Sequence, residues 1–454
     1  MSTTHADPFF QTDFEAAEFV ARRARVMDAM GNSGVALIAG ATATAGFDPF
    51  RQTNDFYYLC GVETHHAYLL IDAGQRTATL YLPPTDARHA AVDGPVPGVE
   101  HAAFLIARAG LTDVRPLSAL PADLAGATHI WTPRAPAAGA RMCQDTLRAM
   151  NKAAAVDPMG MPPSREAHLL SVIARINPSA ALLDLSPALH QQRLIKSPAE
   201  INLMRRAGRL TADATLAAMQ CTRAGLYEYH LAAAADYVFI AGGARGGAYR
   251  PIIAAGDNIP MMHYWRMNCP LRDGEMVLFD YAPDLNNYTS DIGRMWPING
   301  VYSREQRRLY SFAVAYHRVL LERIRPGVLP EQVLEEGAAV MQPKLDGWGF
   351  DHPDHLEAAR RMLKSPRPMS HGVGMPVHET AGYFGRPLEV GMVLALDPEL
   401  WLPEARLYVR CEDTVVVTAD GCENLTAGAP LDCDEIEATL RAARNRPPTP
   451  PPLM

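Results

Sequence analysis

Basic charge is in deficit in this sequence: 42 Lys and Arg stand against 50 Asp and Glu, a formal net charge of −8. A nonspecific grip on nucleic acid or on an anionic membrane needs the opposite balance, so neither partner is expected. No apolar run approaches the roughly 20 residues of a membrane-crossing helix. The seven cysteines are odd in number, and no two stand at C-x-x-C spacing. That removes zinc-ribbon and thioredoxin-type chemistry and leaves reduced, semi-buried fillers as the expectation. The opening MSTTHADPFFQTDF has neither a basic start nor an apolar core. No secretory signal is therefore expected, and a cytoplasmic location is.

What is present is an ordinary globular composition, 48% hydrophobic and 20% charged, in 454 residues. A single core stops growing near roughly 250–300 residues, so the chain is expected to divide. The first part has the character of mixed α/β structure. Phe14 to Met30 carries apolar residues at helical spacing beside Arg22, Arg23 and Arg25. Short β-type runs follow at 35–39, 56–60, 67–71 and 78–82, with further strands near Ile130 to Thr132 and Leu182 to Leu185. Residues 86–165, rich in Ala, Pro and Gly, place little else.

Near residue 195 the character changes. Ser197-Pro198-Ala199-Glu200 combines a serine cap, a proline at the first helical position and a glutamate that can reach back. It predicts a long helix to about Gln220, followed by a second from Tyr227 to Ala241. Ser303 to Gln306 repeats the box before a helix from Arg307 to Ile324. Strand-like runs at 276–282, 392–397 and 407–417 complete an α+β second domain. The expected boundaries are 1–185, 186–445 and a proline-rich, extended tail at 446–454.

The chemistry lies in carboxylates at the ends of apolar strands. Asp280 closes VLFD, Asp291 follows after a turn-like PDLNN, Asp397 closes VLALD, and Glu412 sits within a strongly β-forming run. A lone aspartate ending a strand is most often a turn or cap residue. Four such residues need a common positive partner, because each buried charge costs several kcal/mol. Arginine can serve one or two of them. Two divalent cations, with His371 or His378 from SHGVGMPVHE as a nitrogen ligand, can serve all four.

These residues, with their flanks, resemble the pita-bread metallopeptidases and, among them, aminopeptidase P. FRQTNDFYYLCG (50–61) is similar to that family's N-domain segment. LIKSPAEINLMRRAG (194–208), AAGDNIPMMHY (254–264), FDYAPDLNNYTSDIGRMWPING (279–300), HGVGMPVHE (371–379), GMVLALDPEL (391–400) and RCEDTVVVTADGCENLT (410–426) follow in family order. The resemblance implies a pita-bread catalytic domain behind a smaller creatinase-like domain. It also implies a dinuclear site of Asp280, Asp291, His371, Asp397 and Glu412. Manganese is the first choice of metal, with cobalt, zinc or iron as alternatives.

By the same resemblance, His263 and His378 contact substrate, Asp397 doubles as a catalytic group, and Arg410 orients the last ligand. The implied reaction removes an N-terminal residue ahead of proline by attack of a metal-bridging hydroxide, in a homodimer or homotetramer. An Xaa-Pro dipeptidase, a metal-free creatinase-like C–N hydrolase and a catalytically silent homologue stay open as alternatives. One position departs from the pattern. Asp397-Pro398-Glu399 stands where the family has Glu-Pro-Gly, which shortens the ligand's reach by roughly 1.5 Å. Either Asp397 is drawn inward, or Glu399 takes over its role.

Overall fold

The computed structural model describes residues 10–31, 33–43, 48–159 and 162–444. The proline-rich tail lies outside them. The chain divides into two compact units after Arg193. No helix among the described residues is long and apolar enough to cross a membrane.

The first unit is built on six strands: β1 (Val35–Ala39), β2 (Tyr68–Asp72), β3 (Thr77–Leu82), β4 (Asp113–Pro116), β5 (His129–Thr132) and β6 (Ala181–Asp184). Their spatial order is β4-β3-β2-β1-β5-β6, with β1, β5 and β6 parallel and β2 antiparallel to both its neighbours. Val35, Leu37, Leu70, Tyr81 and Ile130 bury one face against Leu120, Leu124 and Ile173 of the covering helices. The predicted helix near the start runs Ala16–Ala29. Of its three arginines, Arg25 is exposed while Arg22 and Arg23 are buried. Arg22 is fully buried, with its guanidinium 4.2 Å from the Tyr58 ring centre. Arg23 donates to the carbonyls of Leu59 and Ala109 at 2.7 and 2.9 Å.

An expectation fails at FYYLC, which forms the helix Asn54–Cys60 instead of a strand. All seven of its residues are buried, and Gly61 closes it at φ 67°. A short aromatic run buried on every side carries no periodicity to separate helix from strand. The Ala-rich stretch that placed little supplies short helices, among them Ala102–Ala109 and Gln144–Ala154.

The second unit begins with the predicted capped helix, Pro198–Cys221. The Ser197 hydroxyl accepts from the Glu200 N–H, and the Glu200 carboxylate accepts from the Ser197 N–H at 2.9 Å. Glu228–Ala241 packs beside it, and the second box opens Arg304–Leu321. The sheet strands are β7 (Ile252–Ala255), β8 (Met276–Asp280), β9 (Ile292–Pro297), β10 (Met369–Gly372) and β11 (Val393–Leu396). They are followed by β12 (Glu399–Leu402), β13 (Leu407–Arg410), β14 (Glu412–Val417) and β15 (Cys422–Asn424).

The main sheet is antiparallel, in the order β10-β11-β14-β9-β8-β7 with β15 also on β14, while β12 and β13 form a separate pair. The run 407–417 is thus two strands broken at Cys411, not one. That break brings Arg410 and Glu412 into different sheets.

Candidate metal centre

Five neighbouring strands each deliver one residue. Asp280 ends β8, Asp291 immediately precedes β9, Glu412 begins β14, Asp397 follows β11, and His371 lies in β10. In the register, Gly293 pairs with both Asp280 and Glu412, so the three stand in a row across the sheet. The glycine is required there. A Cβ on Gly293 would lie 2.9 Å from the Glu412 Cβ and 3.2 Å from the Arg410 Nε. Thr414 then fixes the backbone of Asp291, accepting from its N–H at 2.6 Å and donating to its carbonyl at 2.9 Å.

Ligand atoms of Asp291, His371 and Glu412 all lie within 4.8 Å of one another. His371 Nδ1 is 3.1 Å from the Gly372 carbonyl, and Nε2 is 3.5 Å from Asp291 Oδ2. With the proton on Nδ1, a nitrogen lone pair and a carboxylate oxygen face each other. Two acceptors so placed fit a shared cation.

Arg410 connects the other two carboxylates. It ion-pairs with Asp280, donates to Asp397 at 3.2 Å and lies 3.3 Å from Glu412. Tyr249 completes the group, its hydroxyl 2.8 Å from Asp280 Oδ1 and 2.8 Å from Asp291 Oδ1. The rings of His378 and His371 are 4.2 Å apart, and His263 lies 6.5 Å from His378 on the exposed side. A Cβ on Gly374, in the turn between His371 and His378, would meet Glu379 Oε1 at 2.7 Å.

The electrostatics are unbalanced. Four carboxylates, all less than a tenth exposed, surround one guanidinium, also buried. Burial first, and then Asp280, pushes Asp291 up to about 8 against the pull of Arg410. Burial and Glu412 push Asp397 well above the carboxylate range, and burial and Asp291 do the same to Glu412. Asp397 Oδ1 is buried without a hydrogen-bond partner among the described residues. A donor set rich in hard oxygen, with one imidazole and surplus negative charge, fits divalent cations.

Glu399 has a different partner from Asp397. Its Oε1 accepts from Arg367 at 2.7 Å, and Arg367 stacks 4.1 Å over Trp401.

Comparison with known proteins gives the family and the fold. Residues 202–419 match the model of metallopeptidase family M24, and residues 19–130 match that of the aminopeptidase P N-terminal domain. Xaa-Pro aminopeptidase 3 of Rattus norvegicus is 30% identical over 411 residues, covering 86% of this chain and 76% of its own length. The chain belongs to metallopeptidase family M24, on its aminopeptidase P branch.

Another aminopeptidase P relative, the Xaa-Pro aminopeptidase of Escherichia coli (strain K12), is 36% identical over 282 residues, covering 59% of this chain and 64% of its own. The solved structure of Escherichia coli aminopeptidase P with the inhibitor Pro-Leu superposes with a TM-score of 0.76. It is 28% identical and covers 96% of this chain and 100% of that one. The pita-bread fold with its N-terminal domain is therefore established for this chain. Within this aminopeptidase P fold, sequence reading missed Tyr249, Thr414 and Gly293. Nothing local marks them, because each acts on a residue at least 31 positions away or across the sheet.

Proposed function

We propose that this chain is a metal-dependent exopeptidase that removes the N-terminal residue from peptides with proline in second position. The supporting observation is the row of four buried carboxylates with His371, held against a single guanidinium. Asp280, Asp291, His371, Asp397 and Glu412 would hold two divalent ions, manganese first. When bound, such ions supply Lewis-acid activation of water and of the scissile carbonyl.

The chain's own residues do the rest. Tyr249 holds one oxygen of Asp280 and one of Asp291, which orients both carboxylates. Burial, followed by the charges of Asp280 and Asp291, raises its pKa well above the tyrosine range, so the hydroxyl keeps its proton. Arg410 fixes the orientation of Asp280 and Asp397 and offsets part of the charge. His378, against His371, and His263, farther out, supply hydrogen-bonding nitrogens to the peptide and its scissile carbonyl.

A dimer or tetramer in the cytoplasm completes the proposal. It is tested by incubating the manganese-loaded protein with an Xaa-Pro-Xaa tripeptide and with an Xaa-Pro dipeptide. Release of the first residue from the tripeptide supports it. Cleavage of the dipeptide alone would assign a dipeptidase instead.

A further inference from the structure

Two guanidinium groups lie over one indole beside the candidate metal centre. The Arg250 and Arg266 carbons stand 5.4 and 4.9 Å from the centre of the Trp265 ring. All three residues are exposed, Trp265 by 54%. Neither guanidinium has a hydrogen bond or a carboxylate partner among the described residues. Arg367 shows the contrast. It also stacks on a tryptophan, but Glu399 neutralises it at 2.7 Å. Two like charges sharing a ring without a counter-ion repel each other, and an exposed tryptophan gains little from solvent. Such a cluster contributes little to folding and is well suited to an anion, which would pair with the guanidiniums while its chain lies on the indole.

The location narrows the ligand. Arg250 follows Tyr249, whose hydroxyl touches Asp280 and Asp291. Trp265 comes two residues after His263, whose ring is 6.5 Å from His378. The cluster therefore stands at the rim, outward from the histidines. Resting on the aminopeptidase reading, a substrate with its amino terminus at the carboxylates runs outward past His263, so its leaving side meets this rim. We propose that Arg250, Trp265 and Arg266 form a subsite for a carboxylate on the leaving side of the peptide. The carboxylate is that of an acidic side chain just after proline or the C-terminal carboxylate of a short peptide.

The test compares two substrate pairs on the full-length, manganese-loaded protein. Ala-Pro-Glu-Ala-amide against Ala-Pro-Gln-Ala-amide isolates the side chain, and Ala-Pro-Ala against Ala-Pro-Ala-amide isolates the terminus. In at least one pair the anionic member is expected to have a kcat/KM about two- to fivefold higher, as for exposed ion pairs. The preference should reside in KM and shrink at high salt. In the Arg250→Gln/Arg266→Gln double variant the ratio should fall toward one, with metal content per chain as the check on folding. The pair that shows the preference identifies the carboxylate.

Cleavage of all four peptides without preference, or an undiminished ratio in the double variant, overturns the subsite and leaves the activity standing. Failure to cleave any of them overturns both.

Discussion

The hydroxyl of Tyr249 lies 2.8 Å from one carboxylate oxygen of Asp291. The same hydroxyl is as close to Asp280, so a single proton is shared between two residues of the candidate centre. Tyr249→Phe keeps the ring and removes that restraint. Divalent-ion affinity is expected to fall by about 10–100-fold, the usual effect of losing a group that orients a ligand. Competition with a chelating dye measures it. Unchanged affinity would show that Tyr249 orients nothing.

Asp397 is where the sequence leaves its family's pattern, and Arg410 holds it at 3.2 Å. Asp397→Ala should abolish activity, since it removes one of the four carboxylates. Asp397→Glu should retain metal and can raise the rate. Wild-type rate and metal content in the alanine variant would exclude Asp397 from the site.

Protons and metal compete for the cluster. In the folded chain Asp291 is held up to about 8, against about 3.9 when unfolded. A carboxyl raised in the fold is protonated there without penalty at low pH. It destabilises increasingly as pH climbs from the unfolded value through the folded one. The chelated protein should therefore lose thermal stability between pH 5 and 8.5, and apparent metal affinity should rise over the same range. Scanning calorimetry with and without chelator reads both. A chelated protein that grows steadily more stable toward pH 8.5 would contradict this.

On the opposite side of β14 from Glu412, Asp413 is enclosed by Arg294 at 2.7 Å and His317 at 3.1 Å, all three fully buried. Burial alone would raise Asp413, but Arg294 and His317 outweigh it and hold the carboxyl below its usual range. Arg294 also donates to the Glu412 carbonyl at 2.6 Å. Removing one partner leaves a buried charge uncompensated. Arg294→Met should therefore cost about 3–5 kcal/mol in a denaturant titration. A loss below about 1 kcal/mol would show that Asp413 is otherwise satisfied.

The parts of the fold that were legible in the sequence are those whose cause is local. The Ser197 and Ser303 boxes lie within three residues of their partners, and the first helix starts where its box places it. The second runs Arg304–Leu321, three residues earlier at each end than expected, because the box residues are themselves its first turn. Asn54–Cys60 was not legible because burial on every side erases periodicity. The short helices between 86 and 165 bury little: Ala102–Ala109 buries Leu105 and Ala109, and Gln144–Ala154 buries only Gln144. At the site, each carboxylate taken singly had an ordinary explanation, and only family resemblance joined them. What joins them physically is register: Gly293 opposite Asp280 and Glu412, and Asp413 opposite Leu396, one residue before Asp397. The Gly293–Glu412 pairing spans more than a hundred residues, and none of the three leaves a local pattern.

The most direct measurement combines metal content per chain with cleavage of an Xaa-Pro-Xaa tripeptide, before and after chelation, on one preparation. Divalent transition metal is expected at up to two ions per chain. Release of the first residue is expected with it, lost when the metal is removed and restored on adding manganese. Full activity without stoichiometric metal would contradict this.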